Sequence, residues 1–234
     1  MRPRCETMYF RGMDSNIEVE LQVADYLLQI KAIELKPQAP FTWASGLKSP
    51  IYCDNRKTLS FPVCRTHIRQ QFVNAIQEKF GTPDIIAGVA TGGIAIGALV
   101  AQEMGIPYAY VRSEAKKHGL GNQVEGVVEP NQKVVVIEDL ISTGKSSLSA
   151  VSALREAGLD VMGMVAIFTY DFQIAKEAFQ DAEVALHTLT DYHALLQQAL
   201  KKEYITEEQL STLKVWREDP AAWSAAFLES HPNG

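Results

Sequence analysis

The stretch VVVIEDLISTGKSS, residues 134–147, constrains this chain more than any other. Four β-branched residues in a row, Val134 to Ile137, suit a strand buried on both faces, as in the centre of a parallel sheet. The run stops at two adjacent carboxylates, Glu138 and Asp139. A small-residue turn, Ser142-Thr143-Gly144, then opens a helix. Ligands of open parallel sheets bind beyond the carboxyl ends of the strands. A helix N-terminus there offers unpaired N–H groups and the positive end of the macrodipole. Ser142, Thr143 and Ser146 add hydroxyl donors, so the turn suits a phosphate monoester. Two acids beside a phosphate repel it unless they serve another part of the ligand, and ribose hydroxyls or a hydrated Mg²⁺ meet that need. The plainer alternative makes the acids a solvated strand end and Ser142 an N-cap. A P-loop around Gly144-Lys145-Ser146 is disfavoured, because that motif needs glycine where Asp139 stands.

The surrounding pattern supports an α/β reading. DIIAGVA (84–90), YAYVR (108–112), KVVVIEDL (133–140) and VMGMVAIFTY (161–170) read as strands, with AEVALHTL (182–189) a candidate fifth. IAIGALVAQEM (94–104) and SSLSAVSALREAG (146–158) read as helices between them, the second ending at Gly158. Alternation of this kind predicts a mostly parallel five-stranded sheet with helices on both faces. Residues 17–30 and 62–79 have helical spacing, with Pro62 suited to a first turn. AIEL is a short apolar stretch, and FTWASGLKSPIYCDNR (41–56) reads as two extended segments around Ser45-Gly46. The tail from Asp191 reads as helical, with Thr206 and Gln209 forming a capping box. Trp216 and Trp223 are expected to pack a helix onto the body or a partner. Residues 113–131 are polar and glycine-containing, as in a functional lid or a solvated hairpin.

Composition narrows the function classes. The chain has 234 residues, 47% hydrophobic and 21% charged, the balance of a soluble globular protein that buries its own core. One domain over 17–234 is expected. Twenty-two basic against 28 acidic residues give a net charge of −6, which argues against nucleic acid or an anionic membrane as partner. Phosphate must therefore be handled by a local site. Cysteines 5, 53 and 64 lack metal-ligand spacing and fit a reducing cytoplasm. There is no apolar run long enough for a membrane span. Residues 1–16 carry three arginines but no apolar h-region, so a disordered extension is expected there rather than a signal peptide, with Met8 or Met13 as alternative starts.

The acid-acid strand end followed by Ser-Thr-Gly resembles the phosphoribosyl diphosphate (PRPP) motif of type I phosphoribosyltransferases. Within that family, FTWASGLKSPIYCDNR and YVRSEAKKHGLGNQVEG (110–126) resemble the orotate phosphoribosyltransferases, in their shorter bacterial form. The likeness runs from about residue 20 to 170.

This resemblance implies a type I phosphoribosyltransferase fold with a small N-terminal hood over about 17–60, joined by the C-terminal helices. It implies a Mg²⁺-dependent, cytoplasmic homodimer that uses PRPP and orotate, with the ion held by PRPP and water rather than by the protein. Glu138 and Asp139 would hold the ribose hydroxyls, and the segment Leu140, Ile141, Ser142, Thr143, Gly144, Lys145 and Ser146 the 5′-phosphate. GVATGGIAIG (88–97) would take the pyrophosphate, unless its glycines serve only close helix–strand packing. Arg112, Lys116 and His118 would act on the diphosphate from a mobile loop over about 113–128. Tyr52, Cys53 and Ser142 would contact orotate, although Cys53 also reads as a small buried hydrophobe. Arg56 suits either a carboxylate or a surface ion pair. Compared with the longer bacterial form, lysines are replaced by Ala44, Gly92 and Ser113, and FTYDFQ (168–173) lacks an arginine. The shorter form shares these absences, which leave the partner of the orotate carboxylate open. A phosphoribosyltransferase for another base and a PRPP-sensing regulator are the competing functions.

Overall fold

The computed structural model describes residues 6–43, 45–114 and 123–231, with side chains from residue 17 onward. The elements begin with α1 (Glu6–Gln29), β1 (Ile33–Leu35), β2 (Phe41–Thr42), β3 (Lys48–Ser49) and β4 (Ile51–Cys53). After a 3₁₀ turn come α2 (Pro62–Lys79), β5 (Ile85–Val89), α3 (Gly92–Met104), β6 (Tyr108–Val111), β7 (Val124–Glu125) and β8 (Lys133–Ile141). The remainder is α4 (Lys145–Glu156), β9 (Asp160–Thr169), α5 (Gln173–Asp181), β10 (Leu186–Asp191), α6 (Tyr192–Lys201), α7 (Glu207–Glu218) and α8 (Pro220–Ser230).

The chain forms two compact units. The larger, residues 58–191, holds a six-stranded sheet in the order β10-β9-β8-β5-β6-β7. Five strands are parallel, as expected. The sixth, β7, returns antiparallel to β6, with Val124 opposite Val111. Arg112 N–H donates to the Gln123 carbonyl at 2.9 Å. This antiparallel return fits the hairpin reading of residues 113–131 and adds a sixth strand to the five expected. Val134 to Ile137 are fully buried in β8, between β5 and β9. Ile85, Ala87, Val134, Val136 and Met164 form one core with Ala150, Val151 and Leu154 of α4 and Phe179 of α5. Ile86, Val135 and Ile137, one residue out of step, point to the opposite face.

The smaller unit comprises residues up to 57 and from 192 onward. It thus gathers the expected hood segment and the C-terminal helices. β1 pairs antiparallel with β4, and β2 with β3. α1 packs on α6. It begins at Glu6, upstream of the Ile17 start that periodicity suggests, so residues 6–16 of the expected extension are helical. Trp216 is 0% exposed at the centre of this unit, with Trp43 edge-on at 5.7 Å and Tyr192 tilted at 5.7 Å. Trp216 and Trp223 stand on two helices rather than one. The chain breaks at Asp219-Pro220, where Asp219 accepts N–H bonds from Ala221 and Ala222 and proline fits the first turn.

The Thr206–Gln209 capping box is formed in both directions. It starts the helix that carries Trp216. Thr206→Ala is expected to lower unfolding free energy by about 1 kcal/mol, measured by urea denaturation.

Candidate active site

In the sheet order, the chain leaves β5 towards β6 on one side and leaves β8 towards β9 on the other. The connections therefore diverge between β5 and β8, and a crevice opens at the carboxyl ends of those two strands. GVATGGIAIG and the acid pair flank this point. The first turn of α3 lies close against the end of β8. A Cβ on Gly92 would overlap the Asp139 carboxyl group, and one on Gly93 would overlap the Ile137 carbonyl oxygen. The lysine that the longer form carries at position 92 would start from that overlap. Packing is equally tight behind the loop: a Cβ on Gly88 would stand 2.5 Å from the Tyr108 hydroxyl. Tyr108 donates to the Ile94 carbonyl at 2.6 Å, which ties β6 to this turn. The glycines are thus required by packing, and the same approach leaves the N-terminus of α3 facing the crevice.

Glu138 is only 4% exposed. Its carboxyl group accepts the Ser147 hydroxyl at 2.9 Å and the Asp139 N–H at 2.9 Å. Burial, reinforced by the neighbouring Asp139 charge, pushes Glu138 well above the usual carboxylate range. Asp139 is half-buried. The Asp139 carboxyl and the remaining Glu138 lone pairs can accept two further hydrogen bonds, and a vicinal diol supplies two donors.

Gly144 adopts φ 78° immediately before α4, where a side chain would meet the Phe179 ring at 2.8 Å. That residue lets the chain turn from β8 into the helix without a Cβ. Beyond it lies a cavity of about 400 Å³. Thr143, Lys145, Ser146 and Ser149 line it from the turn and α4, Val89 and Ala90 from the end of β5, and Arg112, Ser113 and Gln123 from the β6–β7 side. Two cationic side chains and four hydroxyls around a helix N-terminus suit a phosphate dianion. Arg112 also stands 3.5 Å from Glu125, and Gln123 Nε2 donates to the Arg112 carbonyl at 2.8 Å.

The residues singled out from sequence distribute as follows. Arg112, Thr143, Lys145 and Ser146 line one cavity. Glu138 and Asp139 stand at the adjoining strand end. Leu140 and Ile141 lie opposite Phe168 and Thr169 in the sheet; Ile141 is a core side chain, and its carbonyl accepts the Tyr170 N–H. Ser142 is half-buried at the turn. Tyr52 and Cys53 lie on β4 in the other unit, where the Cys53 thiol and Asn55 Oδ1 are 3.4 Å apart. Arg56 forms the ordinary ion pair: its Nε donates to Asp54 at 2.6 Å and holds that carboxyl below its usual range. Lys116, His118 and Ala44 lie outside the described residues. Ser147, Ser149 and Gln123 escaped the sequence reading. Ser149 follows Ser146 by three residues on one helix face, a usable signal, whereas Gln123 reaches the cavity only through β7.

Comparison with known proteins agrees with this geometry. The phosphoribosyl transferase domain family matches residues 63–191. The orotate phosphoribosyltransferase of Phocaeicola vulgatus is 58% identical over 207 residues, covering 88% of this chain and 98% of that protein. That of Listeria innocua is 53% identical over 207 residues, covering 88% and 99%. The solved orotate phosphoribosyltransferase of Aeropyrum pernix superposes with a TM-score of 0.69 at 26% identity, covering 79% of this chain and 99% of that one. The chain belongs to the phosphoribosyl transferase family, and within it to the orotate phosphoribosyltransferases.

Two substitutions test the packing and charge described. Gly93→Ala is expected to cost about 1–3 kcal/mol through overpacking against the β8 backbone, measured by urea denaturation. Because folding raises the Glu138 pKa, its stabilising contribution is complete below the unfolded carboxylate pKa and is lost as pH rises through the folded value. Wild-type melting temperature should therefore fall relative to Glu138→Gln as pH rises above the usual carboxylate range; parallel curves would contradict the shift.

Proposed function

We propose that the chain transfers the 5-phosphoribosyl group of PRPP to orotate, giving orotidine 5′-monophosphate and pyrophosphate, a pentosyl transfer in pyrimidine nucleotide synthesis. The observation that carries this reading is the juxtaposition of a buried acid pair with a cationic, hydroxyl-lined cavity at the switch point, in a chain of this family. The 5′-phosphate sits in the cavity among Thr143, Lys145 and Ser146. Glu138 and Asp139 accept hydrogen bonds from the ribose 2′- and 3′-hydroxyls. The diphosphate points to the first turn of α3 and to Arg112. Tyr52, Cys53 and Ser142 contact the base.

The bond from ribose C1 to the diphosphate oxygen breaks as the bond to the orotate ring nitrogen forms, and that nitrogen gives up its proton to pyrophosphate or water. Positive charge develops on the ribosyl centre and negative charge on the departing pyrophosphate. Arg112, with Lys116 and His118 from the loop, stabilises the leaving group, and a protonated His118 donates to it. Loop closure excludes water that would otherwise capture the ribosyl centre. Magnesium fits this arrangement. The described residues hold no cluster of three metal-ligating side chains, but Mg²⁺ commonly takes one or two carboxylates, with phosphates and water completing its shell. Here the ion would be held mainly by PRPP and water, with Glu138 and Asp139 left to the ribose hydroxyls, and it would neutralise charge on the diphosphate. A cytoplasmic homodimer whose loops serve the neighbouring site completes the proposal. In its support, no helix among the described residues is long and apolar enough to cross a membrane.

Loss of orotate absorbance with PRPP and Mg²⁺, run beside uracil, hypoxanthine and adenine, tests the reaction. Turnover of orotate alone is expected. Turnover of another base would overturn the base assignment, and PRPP binding without turnover would favour a sensor. Lys116→Ala should lower kcat by about 10²-fold or more with little change in PRPP affinity. Asp139→Asn should weaken PRPP binding roughly tenfold, measured calorimetrically.

A further inference from the structure

The C-terminal helices are left unexplained by the reaction, yet their contacts converge on one short segment of the smaller unit. Ser224 of α8 is 2% exposed, and its hydroxyl accepts the Lys48 backbone N–H at 2.9 Å. Lys48 begins β3, and the chain continues through Ser49 and Pro50 to β4. The fully buried Ser49 hydroxyl donates to the Ile51 carbonyl at 2.8 Å. The same carbonyl accepts the Trp43 indole N–H at 3.2 Å. Trp43 in turn rests edge-on against Trp216 of α7. Trp216 is held by the Tyr192 ring, whose hydroxyl donates to the Leu213 carbonyl at 3.0 Å. The two helices thus brace this segment at two points, a backbone hydrogen bond at Lys48 and an aromatic contact beside Ile51. Tyr52 is the next residue along. Its ring is exposed to 37% and lies 5.5 Å from Phe41.

We infer that α7 and α8 set the position of the Lys48–Cys53 segment, and that Ser224 and Trp216 are positioning residues for orotate. The inference rests on the reading above that Tyr52 and Cys53 contact the base. Ser224 of α8 holds the Lys48 N–H directly, and Trp216 of α7 acts through Trp43, whose indole N–H bonds the carbonyl before Tyr52. β3 and β4 contain two and three residues. β1 pairs with β4 along one edge, Glu34 opposite Tyr52, and strands so short have little further ladder of their own, so the braces at Lys48 and Ile51 hold the segment on its β3 side. Substrate contacts depend on such bracing, because a binding residue displaced by a fraction of an ångström loses its hydrogen-bond and stacking geometry.

The test is steady-state kinetics of full-length Ser224→Ala and Ser224→Thr, with orotate and PRPP varied separately and melting temperatures measured alongside. Loss of one hydrogen bond predicts a rise in orotate KM of about fivefold in Ser224→Ala. PRPP KM is expected to stay within about twofold of wild type, and Ser224→Thr, which keeps the hydroxyl, should restore orotate KM. Trp216→Phe, which retains a ring against Trp43, is expected to show the same split and serves if Ser224→Ala gives no soluble protein. Equal rises in both KM values, or an unchanged orotate KM with only a lower melting temperature, would overturn the inference. Wild-type turnover of orotate is measured first. Its absence would overturn the proposed reaction, a result distinct from failure of the variants.

Discussion

The approach of the first turn of α3 to the end of β8 decides where the other parts of the larger unit stand. Gly93 lies so near the Ile137 carbonyl oxygen that a Cβ has no room there, and a Cβ on Gly92 would require the Asp139 carboxyl to move. This contact fixes the N-terminus of α3 beside the acid pair. It depends on β5 and β8 running parallel in register, Ile85 opposite Val134 through Gly88 opposite Ile137. The two strands carry chain that departs in opposite directions, so the space beyond them is left open. A crevice bounded by helix N-termini and acids follows from the topology, before any ligand is considered.

The electrostatics of the crevice are divided over a short distance. On one side a carboxyl group is buried, hydrogen-bonded by Ser147, and drawn toward its protonated form. On the other side Arg112 and Lys145 share a cavity with hydroxyl groups. A ligand with a diol at one position and a phosphate at the next satisfies both halves. A simple phosphate leaves the acids unserved, and a nucleoside without phosphate leaves the cations unserved. The geometry thus favours a phosphorylated sugar over either fragment.

Much of this was legible in the order of residues, because the central strands are continuous apolar runs and their ends are marked by abrupt changes of chemistry. Pro62, Gly158 and the Thr206–Gln209 pair marked helix ends through local backbone preferences, and those ends stand near where they were read. Features that escaped depend on distant chain. The hairpin reading of residues 113–131 anticipated the return of β7, but not that the Arg112–Gln123 bonds would bring Gln123 to the cavity. Ser147 looked like one small helix residue among several, and only the path of β8 brings Glu138 to it. The smaller unit joins the two ends of the chain, and local periodicity carries no record of that return. The break between Trp216 and Trp223 was available in Asp219-Pro220, but their spacing of seven suggested a single helix face.

In the proposed reaction one PRPP molecule spans the first turn of α3 and the first turn of α4. Amide hydrogen exchange of the full chain, with and without PRPP and Mg²⁺, tests it most directly. Slowed exchange is predicted in both residues 92–94 and residues 143–147. Protection of only one of these segments, or of neither while PRPP is shown to bind, would contradict the account.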